Sequence, residues 1–191
     1  VVAYMNGTLT NVSMGSEGVS RELIQGYTDI NPTDINSDSV AELPSPYQLP
    51  SYGESTSSNF WLIDWGQYDQ RGNRNHVLTT YHNVSDGWYL EISESWRDQI
   101  TISRNDQVNG RREVVFYHSL GDDREPQPFL SIYRISSSRN ADLEEDGWIV
   151  LREEENVTYA AKFHTGSWNS GLDEMDLRER FNTIQRSWYN E

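Results

Sequence analysis

The chain has 191 residues, enough to bury a real core in one large domain or two small ones. Aromatic residues reach 12%, with seven Trp and eleven Tyr, a content that disordered chains lack. A formal charge of −15 argues against a nucleic-acid partner, and the absence of Cys excludes disulfides, thiolate metal sites and thiol catalysis.

Acidic surface of this kind suits divalent cations, high salt or a solvated exterior. Lys162 is the only lysine, so fourteen of the fifteen cationic residues are Arg, a bias that genomic base composition explains. No stretch reaches the ~18 apolar residues of a membrane span. The chain opens on Val1-Val2-Ala3-Tyr4, without Met or a basic-apolar signal, which reads as a mature or excised fragment.

Residues 1–59 are rich in Gly, Ser, Thr, Asn and Pro. A short strand is expected over 19–24 and a turn at Gly26-Tyr27-Thr28. Next comes an acidic loop, in which Asp34, Asn36, Asp38 and Glu42 hold the first, third, fifth and ninth places. Val40 can offer its backbone carbonyl at the seventh. Hard cations take six to eight oxygen ligands, and this alternation aims several at one point. The metal expected there is Ca²⁺ in a structural role, because ligands drawn from one loop leave little room for substrate. Without a metal, the same residues make an Asx-rich turn bonded to its own backbone.

Pro44, Pro46 and Pro50 then forbid a central strand, and residues 51–59 read as a polar loop. Strands are predicted over 60–65 and 76–82, joined as a hairpin, with a turn at 83–87. The domain boundary is expected there, dividing the chain into 1–83 and 84–191. Six short strands follow, over 88–92, 100–104, 113–117, 129–135, 148–152 and 158–164. Leu172, Met175, Leu177, Phe181, Ile184 and Trp188 recur at helical spacing and predict a helix over 172–188. The fold class is therefore α+β: mainly antiparallel sheet with one C-terminal helix packed on it, after a small β-rich segment.

Residues 27–44, Tyr27 to Pro44, resemble an FG-GAP or VCBS-type repeat, which builds β-propeller blades. That resemblance implies Asp34, Asn36, Asp38 and Glu42 as side-chain ligands and Val40 as a carbonyl ligand. Ser39 stands where the family has Gly, at a turn often of positive φ that a β-carbon disfavours by roughly a kcal/mol. The second half resembles the PsbP-like α/β sandwich of secreted Gram-positive proteins. Its carrying residues are Asp86-Gly87-Trp88-Tyr89-Leu90-Glu91-Ile92-Ser93-Glu94-Ser95-Trp96, then Val114-Val115-Phe116-Tyr117, Phe129-Leu130-Ser131-Ile132, Tyr159-Ala160-Ala161 and Ile184-Gln185-Arg186-Ser187-Trp188. Members of that fold are mostly non-catalytic binding or assembly factors.

Catalytic signals are weak by comparison. His76, His82, His118 and His164 lack zinc-motif spacing, Ser167 lacks a nucleophile elbow, and abundant carboxylates specify no hydrolase pair. A glycan-binding alternative uses Trp61 and Trp65, which alternate along one strand, with Tyr68 beyond them and Asp64 bonding hydroxyls. Against it, Trp61, Ile63 and Trp65 can simply fill a core. The leading expectation is a non-enzymatic, extracellular or cell-envelope binding or assembly module, whose partner is a protein or a cell-envelope glycan. Neither nucleic acid nor a membrane span enters it.

Overall fold

Runs of β-branched and aromatic residues become strands, because such side chains pack well on a pleated surface. The computed structural model describes residues 2–5, 7–11, 30–49, 60–69, 73–108, 111–119, 121, 124–136, 143, 147–166 and 168–189. Antiparallel strands dominate these residues, which contain one α-helix. The predicted strand over 19–24 and the polar loop over 51–59 lie outside them.

In chain order the strands are β1 (Val2–Met5), β2 (Thr8–Asn11), β3 (Leu43–Gln48), β4 (Trp61–Tyr68), β5 (Arg74–Asn83), β6 (Trp88–Ile92), β7 (Ile100–Val108), β8 (Arg111–His118), β9 (Gln127–Ser136), β10 (Ile149–Glu153), β11 (Val157–Phe163) and, after helix α1 (Glu174–Arg180), β12 (Phe181–Thr183). They form a β1-β2 hairpin and two five-stranded sheets, ordered β12-β6-β5-β4-β3 and β10-β11-β9-β8-β7. Pro44 and Pro46 fall on β3, an edge strand, where a missing donor costs least.

The chain divides into two compact units, but not at 83/84. The first comprises Val1–Tyr47, Trp61–Glu91 and Thr183–Glu191, and the second Gln48–Phe60 and Ile92–Asn182. Two facts move the boundary. β6 joins β5 in one sheet, and the C-terminal segment returns to the first unit.

In the first unit Ile63 and Trp65 of β4 meet Ile30, Ile35, Tyr89 and Trp188 in a core, with Leu78, Ile184 and Tyr189 packed against it. The Trp65 indole donates to Thr80 Oγ1 at 2.8 Å, which satisfies its buried N–H. Residues 184–188 are pinned by backbone bonds: Asn31 N–H to the Trp188 carbonyl at 2.7 Å, and Ile184 N–H to the Gly87 carbonyl at 2.9 Å.

The helix is shorter than its periodicity predicts. Asp173 caps it by accepting from the Asp176 amide at 2.9 Å, and Phe181 leaves helical dihedrals at ψ 124°. Residues 181–183 then pair as a strand. Phe181 packs on Tyr159 in the second unit, whereas Ile184 and Trp188 belong to the first unit's core. Helical spacing of apolar residues was thus met by a helix, a strand and a turn in succession.

His82 sits at the first unit's centre, 7% exposed, with the rings of Tyr89, Trp65, Tyr189 and Trp188 between 5.2 and 6.2 Å away. Its Nδ1 meets Tyr189 Oη at 2.5 Å, and Nε2 is buried without a hydrogen bond from the described residues. Burial lowers its pKa to about 3, from 6.5 for a free imidazole. The unfolded ring therefore takes up a proton below pH 6.5 that the folded ring refuses. Stability is complete above that pH and falls as pH drops toward 3. Between pH 7 and pH 5 this ring should remove about 2 kcal/mol, read as the difference between the wild type and His82→Gln in urea titrations at both pH values. Equal losses in the two proteins would show that His82 is solvated.

Candidate metal centre

The ends of the acidic loop are clamped before its side chains act. Thr33 and Glu42 exchange backbone hydrogen bonds at 3.1 and 2.9 Å, so the eight residues between them leave and re-enter one bridge. Ile35 turns into the core as an anchor. Carboxylates then gather the exposed amides of the turn. Asp34 accepts from the amides of Asp38 and Ser39, both at 2.9 Å, and Asp38 accepts from that of Val40 at 2.8 Å. Asn36 Oδ1 also accepts from the Asp38 amide, at 3.1 Å.

Two non-glycine residues, Ser37 at φ 62° and Ser39 at φ 72°, hold left-handed backbone. Ser39 is the position at which the FG-GAP-type resemblance leads one to expect Gly. The β-carbon costs of order 1 kcal/mol there, and the carboxylate bond to the Ser39 amide offsets it, since hydrogen bonds to charged groups are the stronger ones.

One oxygen from each of Asp34, Asp38 and Glu42 lies within 4.8 Å of the others. Among the described residues this is the only group of three His, Asp or Glu side chains so arranged. Asp34 and Asp38 reach solvent, whereas Glu42 is fully buried. The buried carboxylate is satisfied from two sides. Oε2 accepts from the Ile35 amide at 2.9 Å, and Oε1 accepts from the Gln67 side chain at 2.5 Å. Gln67 Nε2 also donates to Asp38 Oδ2 at 2.9 Å and so bridges two carboxylates. The bonds from Asn36, Gln67 and Val40 together hold the Asp38 carboxyl below its usual pKa.

Gln67 had no signal in the sequence. It lies 25 residues beyond Glu42 and is delivered by the pairing of β3 with β4. Of the ligands expected from spacing, Asp34, Asp38 and Glu42 are brought together. Asn36 sits among them, its amide donating to Asp38 Oδ2 at 3.0 Å. Val40 is exposed and contributes its amide to Asp38. The donor set is all oxygen, the chemistry of a hard cation.

The residues of the glycan alternative do not form one surface. Trp65 is fully buried in the core, so neither ring face can reach a sugar. Asp64 is next to it in sequence, hence on the opposite face of β4, and is buried against Arg74, whose guanidinium donates to it at 2.6 Å. Trp61 and Tyr68 are half-buried near the two ends of the strand. The four histidines do not converge either: His82 is sealed in the core, and His76 bonds Thr79.

No protein-family model, curated protein or solved structure matches the chain. No helix of the described residues is long and apolar enough to cross a membrane.

Two substitutions separate structural from surface roles. In chelator, Glu42→Ala should cost about 2 kcal/mol in urea titration, because the buried Ile35 amide loses its acceptor; an unchanged midpoint would mean that water replaces the carboxylate. Trp65→Ala should cost about 3–5 kcal/mol by the same measurement, as expected for a large ring removed from a packed core.

Proposed function

We propose that the chain is a non-enzymatic binding or assembly module of a secreted or cell-surface protein, its first unit stiffened by Ca²⁺ in the 33–42 loop. The observation that carries this reading is the approach of three carboxylates to within 4.8 Å of one another. Like charges so close repel unless a cation joins them. Ligand oxygens on opposite sides of a calcium ion, each at about 2.4 Å, stand about 4.8 Å apart, so one ion can reach all three.

Asp34, Asp38 and Glu42 would hold the ion, with the Asn36 oxygen and the Val40 carbonyl as further ligands on the likeness to the FG-GAP-type loop. Bound there, calcium supplies charge neutralisation and rigidity. Gln67 does part of this task with an amide donor, which keeps the loop closed between ion-free and ion-bound states. Oxygen-rich loops of this charge suit the millimolar calcium of extracellular fluids.

The binding or assembly role draws on the second unit. Its likeness to the PsbP-like sandwich supports a fold used mainly without catalysis, and the full burial of Leu177 on α1 is in keeping with that likeness. Ser131 meets both a His and a Glu but is sealed from solvent, so it offers no accessible nucleophile.

Differential scanning fluorimetry tests the cation. Millimolar Ca²⁺ should raise the thermal midpoint by about 5 °C over the chelated protein, and the double substitution Asp34→Asn, Asp38→Asn should abolish the rise. Absence of both a thermal shift and calorimetric heat at 10 mM Ca²⁺ would remove the cation from this reading.

A further inference from the structure

Residues 184–189 lie over His82 as a strap that closes the first unit. Two of the four rings around the imidazole belong to the strap, Trp188 at 6.2 Å and Tyr189 at 6.0 Å. Tyr89 of β6 at 5.2 Å and Trp65 of β4 at 5.9 Å complete the cage. Backbone bonds tie the strap down, from the Ile184 amide to the Gly87 carbonyl and from the Asn31 amide to the Trp188 carbonyl.

The closed cage suits a neutral ring alone. An imidazolium donates from both nitrogens. Nδ1 can donate to Tyr189 Oη, but the buried Nε2 meets no acceptor among the described residues. Protonation in place would therefore bury a charge together with an unpaired N–H, which an apolar cage does not offset.

The charged groups of the surrounding elements are engaged elsewhere. On β4, Asp64 points to the face opposite Trp65 and takes the Arg74 guanidinium of β5. On β5 itself, His76 bonds Thr79. Glu42 is taken up by the Ile35 amide and Gln67, and Asp34 by the amides of Asp38 and Ser39. On β6, Glu91 shares a face with Tyr89 and is partly exposed; burial and that carboxylate raise the Tyr89 pKa, so the phenol stays neutral. Arg186 of the strap is exposed.

We infer that His82 makes the strap a pH-sensitive latch: acid opens residues 184–189 while β4 and β5 stay folded, uncovering Tyr89 and Trp65. Lifting the strap admits water to both ring nitrogens and leaves the β4-β5 pairing intact. In the open state the ring titrates near the ordinary 6.5, whereas burial holds it at about 3 in the closed one. Opening therefore becomes more favourable as pH falls below 6.5, and the gain is complete at about pH 3. A folded unit thus displays, in acid, an apolar surface that neutral pH conceals.

Amide hydrogen exchange read by NMR on the full chain in chelator, at pH 7 and pH 5 and corrected for intrinsic rates, tests it. The amides of Asn31, Ile184 and Trp188 should open more readily than those of β4 and β5, with little dependence on dilute urea. Their opening constant should rise about 25-fold from pH 7 to pH 5, as the two imidazole pKa values require. In His82→Gln the rise should vanish. Equal opening of the strap and β4 amides would mean that the segment leaves only with the whole unit, and overturns the inference. An unchanged opening constant between the two pH values overturns it too, as does a full rise in His82→Gln. Should that variant fail to fold, the first two comparisons, made on the wild type, still decide.

Discussion

Trp188 and Tyr189, two of the last residues described, pack on the ring of His82, and Trp188 on Tyr89 as well; much of the first unit depends on that aromatic contact. It makes the unit complete only when the chain returns from the second one. Burial of several large rings supplies the drive, and the backbone bonds from Asn31 and to Gly87 fix the register of return. The imidazole held neutral among those rings ties the stability of this closure to pH. The larger segment of the second unit, Ile92–Asn182, is thus enclosed in the chain between parts of the first, and its smaller one, Gln48–Phe60, likewise.

Two buried polar groups follow one rule: each is tolerated where the fold hands it hydrogen-bond partners. Glu42 is fully buried because the Ile35 amide and Gln67 reach it. Ser131 is fully buried because Glu113 and His164 bracket it. In the loop the surplus is negative charge, which the proposed cation would offset.

Much of the strand content was legible. Alternation and β-branched runs located β4 to β11, since a strand's periodicity is written in neighbouring residues. The acidic loop was legible for the same reason: its oxygen-bearing side chains lie within nine residues, and their spacing alone implied convergence. Where local pattern and long-range pairing competed, pattern misled. The apolar spacing from Leu172 to Trp188 reads as one helix, yet Phe181 starts a strand and Trp188 fills another unit's core. The boundary at 83/84 failed likewise, because a polar turn marks a hairpin end as readily as a domain end.

By itself, the sequence determined a Cys-free, acidic, aromatic-rich chain of antiparallel strands with one oxygen-rich loop. Each of these properties resides in composition or in residues a few places apart. Tertiary structure alone decided that Trp65 is core, that Gln67 closes the loop and that Glu113, Ser131, Tyr133, His164 and Lys162 share one face. Those assignments depend on which strands pair and in what register, and a shift of one residue would send every side chain to the opposite face.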